Sequence, residues 1–158
     1  MNVRIAIALL FLTVSASADE PLAPLQFMVG EWRGTSRGEP GEGTVHRVCE
    51  RVLRDRFIEC RTTVTYENEV HVDRALFSYD KGAKKLRLRQ FHGEGFVNTY
   101  EAEGLVFTTT AIENIPAGWR ARESYERPSP DTWNERFELA GPGKEFTLYS
   151  ASSLRRAK

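Results

Sequence analysis

The chain predicts an all-β fold, an antiparallel up-and-down barrel of about ten strands closed at one end by a short N-terminal helix. Three observations lead there. An apolar stretch over residues 22–29 runs directly into Gly30-Glu31-Trp32. Beyond it come only short alternating segments punctuated by Gly, Pro, Asn and Asp, with no long helical period. A meander of that many strands also exposes two unpaired edges unless it closes on itself.

The first residues read as a targeting segment. Arg4 supplies a positive start, residues 5–14 are an apolar run too short to span a bilayer, and Ala16-Ser17-Ala18 is a small-x-small cleavage site. Residues 1–18 are therefore expected to be a signal peptide and residues 19–158 a single barrel domain, exported to a periplasm or secreted. The remaining length suffices for one domain with a core. No other run is long enough to cross a membrane.

The elements then follow in order. Residues 21–29 are a short helix or turn with Leu22, Leu25, Phe27 and Met28 on its apolar side. Gly30 lets the backbone turn tightly out of it, and Trp32 buries a large ring at the closed end. Residues 30–38 form the first strand, with Gly34 and Gly38 relaxing its ends, and residues 39–43 a loop. Residues 44–53 and 56–66 form a hairpin around Arg54-Asp55. Strands follow over residues 70–79, 84–92, 96–101 and 105–110. A loop over residues 112–118 contains Pro116. The last strands cover residues 119–126, 132–139 and 145–155, separated by Pro128-Ser129-Pro130-Asp131 and Gly141-Pro142-Gly143-Lys144.

Charge excludes some partners. Lys and Arg number 22 and Asp and Glu 22, interspersed along the chain. No basic block points to nucleic acid, and no acidic tail points to a charged partner. The two cysteines, Cys49 and Cys60, stand opposite each other in the hairpin and are expected to form a disulfide; the alternative is two reduced thiols packed as small apolar groups. No metal site is expected, because a zinc site beside the cysteines has only His46 and His71 to draw on.

Residues Phe27-Met28-Val29-Gly30-Glu31-Trp32-Arg33-Gly34, followed by the meander, resemble the calycin superfamily of lipocalins and fatty-acid-binding proteins. This N-terminal motif is most similar to the start of nitrobindin-like haem-binding barrels. The resemblance implies an Arg near the last strand packed on Trp32, and Arg155, or its neighbour Arg156, is expected in that structural role beside Gly30 and Trp32. It also implies a haem-ligating His near the C-terminal end, but residues 146–154 contain none, leaving Tyr149 as a possible substitute. No resident cofactor is expected, with haem as the alternative.

Strand parity selects the ligand-binding candidates. Gln90 and His92 share a face with Leu86 and Leu88 and place polar groups at one end of an apolar cavity, unless His92 lies at a solvated strand end. Phe96, Asn98 and Tyr100 face the same space beside Phe107. Trp119, Glu123 and Tyr125 on one strand, and Trp133 and Glu135 on the next, also point inward, whereas Arg120, Arg122 and Arg136 point out. Buried carboxylates at Glu123 and Glu135 need Arg, Tyr or ligand partners, in a structural ion-pair network or in binding. No catalytic residue is assigned, since no nucleophile has a supporting context. The leading reading is a barrel that holds a small apolar or amphipathic molecule. Its alternatives are a haem-binding barrel, a cavity enzyme using His92 with Glu123 or Glu135 as acid and base, and an envelope protein whose filled barrel binds another protein.

Overall fold

A computed structural model describes residues 20–158; the expected signal peptide lies outside the described residues. A 3-10 helix, Ala23–Met28, with Pro24 in its first turn, leads into ten strands. These are β1 (Gly30–Gly38), β2 (Gly41–Val52), β3 (Phe57–Tyr66), β4 (Val70–Asp80), β5 (Lys85–His92), β6 (Val97–Glu103), β7 (Val106–Glu113), β8 (Arg120–Ser129), β9 (Thr132–Ala140) and β10 (Thr147–Arg156). Every strand pairs antiparallel with its neighbour in sequence, and β1 closes on β10. The expected up-and-down barrel is therefore the architecture found. Alternation along β3, where Ile58, Cys60, Thr62 and Val64 are buried in turn, shows the inner face that this topology requires.

The helix plugs one end of the barrel. Leu25, Phe27 and Met28 enter the core, and Trp32 beneath them is fully buried. The Trp32 indole nitrogen donates to the Met28 carbonyl at 2.8 Å. The Trp133 ring meets the rings of Phe27 and Trp32 edge to face, at 5.7 and 5.6 Å between centroids.

Arg156 completes the plug. Its guanidinium lies 4.3 Å over the Trp32 ring and donates to the carbonyls of Val29 at 2.9 Å and Phe27 at 3.1 Å. Carbonyls at a helix C-terminus lack intrahelical donors, so this cation supplies hydrogen bonds and stacking together. Arg155, the residue expected in this role, is instead exposed. Adjacent strand residues point to opposite faces, so only one of the two could face Trp32, and β1–β10 register places Arg156 opposite it. Gly30 has φ +129°, and a Cβ there would collide with the Arg156 guanidinium.

Cys49 and Cys60 are disulfide-bonded and directly paired across β2 and β3, with Cα atoms 4.0 Å apart. Both are buried, which fixes the inner parity of that hairpin. Strand ends shift from the sequence reading by a residue or two at most ends, and further at three. The first loop shrinks to Glu39-Pro40 because β2 begins at Gly41. β7 runs on to Glu113. β8 passes through Pro128, where the ladder with β9 breaks register between Glu126 and Ser129 and a missing N–H is tolerated. Gly34 is no loosened end: it is mid-strand, and a Cβ there would lie 1.9 Å from the Ser153 carbonyl oxygen, so it allows β1 and β10 to approach.

The seam between β7 and β8 is the shortest. Register pairs Val106–Thr108 only with Arg122–Ser124. Next to it, Thr109 Oγ1 donates to the Ala121 carbonyl at 3.2 Å and accepts from the Ala121 N–H at 2.9 Å. A side chain thus takes over the ladder before the outer half of β7 leaves β8.

This arrangement makes the plug testable in urea. Trp32→Ala is expected to cost about 3–5 kcal/mol. Arg156→Ala is expected to cost about 1–3 kcal/mol, because it leaves buried carbonyls without donors. Arg155→Ala should stay within about 0.5 kcal/mol. Equal effects of the two arginine variants would contradict the clamp.

Candidate functional site

The end opposite the plug is open and holds a cavity of about 610 Å³. Its upper wall is largely apolar: Val64, Phe96, Ile112, Trp119, Phe137 and Leu139 all line it. Its floor is polar, and every group there sits on an inner-face position of its strand.

Arg47 and Glu135 anchor that floor. Their side chains are 8% and 13% exposed. The guanidinium donates to both carboxylate oxygens, at 2.5 and 3.2 Å, and its Nε donates to Thr62 Oγ1 at 3.0 Å. It also lies 4.6 Å over the Trp133 ring. Burial works against the Arg47 charge, but the attraction of Glu135 outweighs it and keeps the guanidinium ionised.

Glu123 is buried beside this pair. Burial first, and then the Glu135 charge, push its carboxyl up to about 8. Tyr125 donates to its Oε2. Tyr100 Oη lies 3.3 Å from its Oε1 and 3.0 Å from Gln90 Oε1, while Asn98 Nδ2 donates to the same hydroxyl at 2.8 Å. One Tyr100 proton cannot serve both carbonyl-type oxygens. A protonated Glu123 donating to Tyr100, with Tyr100 donating to Gln90, satisfies both contacts. Geometry and burial thus agree on a neutral carboxyl at neutral pH.

The histidines gather near the mouth. The His92 ring stacks on Phe96 at 4.0 Å and an interplanar angle of 17°, and Asn98 Nδ2 reaches its Nε2 at 3.3 Å. Burial holds His92 down at about 4, against the pull of Asp73 and with help from the neighbouring His71 charge. His71 is raised to about 9 by Asp73 and Glu94. The closer of these contacts is Glu94, whose Oε1 is 2.7 Å from Nδ1; Asp73 Oδ2 stands 3.7 Å from Nε2. His71, His92 and Glu94 present ligand-capable atoms that all lie within 4.8 Å of one another, and are the donors able to hold a metal ion among the described residues.

Of the eleven residues expected to contact ligand, seven line the cavity: Gln90, His92, Phe96, Asn98, Trp119, Glu123 and Glu135. Tyr100, Phe107, Tyr125 and Trp133 point inward as expected but lie below the floor, in the packed core. Barrel depth separates the two groups, and strand parity carries no information on depth. Arg47, Thr62, His71, Asp73 and Glu94 were not anticipated. Parity could have found four of them. Arg47 shares a face with Val45 and Cys49, Thr62 with Cys60 and Val64, and His71 and Asp73 with Ala75 and Phe77. His71 and Glu94 meet only because β4 begins where β5 ends.

No protein-family model and no curated protein matches this chain. Among solved structures it is similar to Rv2717c from M. tuberculosis, with a TM-score of 0.64, 17% identity and coverage of 87% of this chain and 98% of that one. It is also similar to the S-type phycobiliprotein lyase CPES from Guillardia theta, with a TM-score of 0.54, 16% identity and coverage of 84% and 90%. At these identities the likeness concerns the fold. The closed ten-stranded antiparallel barrel fits a calycin-like, lipocalin-like fold.

The raised Glu123 pKa has a definite sign in stability. The folded state binds this proton more tightly than the unfolded chain, whose carboxyl titrates near 4.5. Its stabilising effect is complete below that value and is lost as pH rises through about 8. Urea unfolding of wild type and Glu123→Gln is expected to show wild type losing at least about 1 kcal/mol relative to the variant between pH 5 and 8. Parallel pH profiles would mean that Glu123 is ionised in the fold.

Proposed function

We propose that this chain is an exported binding protein that holds one small amphipathic molecule in the open end of its barrel. The cavity carries the reading. Its volume of about 610 Å³ falls within the roughly 300–1,000 Å³ of small-molecule sites, which are mostly apolar with a few convergent polar groups. An apolar body fits the wall formed by Phe96, Ile112, Trp119, Phe137 and Leu139, and a polar head fits the floor of Gln90, Asn98, Glu123 and the Arg47–Glu135 pair.

A cavity enzyme is the second reading. It draws on the hydrogen-bonded chain from His92 through Asn98 and Tyr100 to Glu123, two titratable groups held neutral at opposite ends. Glu135 is less suited to that chemistry, since both its oxygens are held by Arg47. Haem, suggested by the N-terminal motif, fits the donor set poorly. His71 and His92 lie 5.5 Å apart, ring to ring, packed among Phe96, Glu94 and Asp73, so neither stands free over an apolar slot.

Export rests on residues 1–18 and on the Cys49–Cys60 disulfide, a bond favoured in oxidising compartments. Sequencing of the protein recovered outside the cytoplasm is expected to begin at Asp19; a mature chain that starts at Met1 would refute cleavage.

Ligand binding is tested with a fluorescent fatty-acid or retinoid-like probe titrated into purified protein. Saturable one-to-one binding is expected. Trp119→Ala and Phe137→Ala should each weaken it by about 1–2 kcal/mol, roughly 5- to 30-fold. Probe binding indifferent to both variants would place it outside the cavity.

A further inference from the structure

Three residues at the cavity mouth are not part of the wall and floor assigned above to the bound molecule. His71 is the second residue of β4, His92 closes β5, and Glu94 follows in the turn to β6. We infer that His71, His92 and Glu94 form a site for one divalent transition-metal ion of the zinc class, at the rim of the cavity. The inference goes beyond the ligand-binding proposal and does not depend on it.

The donor chemistry is the first support. Two imidazoles and one carboxylate form a recurrent zinc ligand set with three protein ligands and one open coordination position. All three residues line the cavity, so an open position on the ion would face the cavity or its mouth. Their ligand-capable atoms already lie within 4.8 Å of one another, a spread that one ion can draw together by small side-chain rotations.

The surroundings are the second support. His92 Nδ1 and Asp73 Oδ1 are buried and find no hydrogen-bond partner among the described residues. Orphaned polar atoms of this kind are uncommon in native folds. The Asp73 side chain is only 5% exposed and lines the same cavity. His71 Nδ1 contacts Glu94 while its Nε2 faces Asp73. An ion between Nδ1 and Glu94 would leave Nε2 to donate to Asp73, the carboxylate–histidine–metal arrangement that orients a ligand ring. His92 is likewise held in one orientation by Phe96 and Asn98. The cluster therefore has three ligands, an orienting carboxylate and, in His92, one ring already held in place.

Zinc chloride titrated calorimetrically into metal-stripped, disulfide-intact protein, with no organic probe present, tests the inference. One ion per chain is expected, with a rise in Tm. Glu94→Gln lies on an exposed turn and leaves the core untouched; it and His71→Ala are each expected to weaken binding by at least about 10-fold, as is the orienting variant Asp73→Asn. The double variant His71→Ala/His92→Ala should abolish both the heat and the Tm shift while keeping native near-UV circular dichroism. His46→Ala, which removes the exposed histidine beside Glu31, should leave binding unchanged. No saturable heat up to millimolar zinc would overturn the site. So would binding that survives the double variant or is lost with His46→Ala. If zinc fails and probe binding holds, only the metal site falls.

Discussion

Closing β1 onto β10 is the constraint on which the rest of the structure depends. It converts a meander into a tube with one inside, so every strand's alternation becomes a statement about a shared interior. Glycine at position 34 permits the close approach of the two strands at that seam, and Arg156 fastens it by reaching from the end of β10 to the carbonyls of the N-terminal helix. The helix, Trp32 and Trp133 then fill one end with large rings. With the plug concentrated there, the cavity lies at the other end.

Within that interior, charge is handled in two ways. Arg47 keeps its charge because it meets the Glu135 side chain bidentately, with Thr62 and the Trp133 face completing the guanidinium's surroundings. Glu123 has no such cation to itself and is neutralised by holding a proton, which in turn orders the hydroxyls of Tyr100 and Tyr125. A polar floor built this way is firm, since breaking either arrangement leaves a buried group unpaired. It separates a packed aromatic core from a wetter cavity and gives an entering molecule a fixed set of donors and acceptors.

The mouth is organised differently. Its polar groups come from the start of β4, the end of β5 and the turn that follows. His71, Asp73, His92 and Glu94 meet there with atoms left unsatisfied. Such incompleteness is costly in a core but useful at a rim, where an ion, water or ligand group can complete it.

The sequence by itself determined the strand count, the helix plug at Trp32, the Cys49–Cys60 pairing and the inward face of most strands. These depend on local period, turn residues and hairpin register, all of which act over a few residues. Parity also held for Gln90, Asn98, Glu123 and Glu135. Tertiary structure decided what period cannot carry. Depth along the barrel put Tyr100, Phe107, Tyr125 and Trp133 below the cavity and Trp119 at its rim. Closure, pairing strands from opposite ends of the chain, chose Arg156 over Arg155 and brought Arg47 to Glu135. Strand ends that meet only in the folded barrel gathered His71, His92 and Glu94. Periodicity fixes the direction in which a side chain points; only the closed sheet fixes its height in the barrel and its partner across the interior.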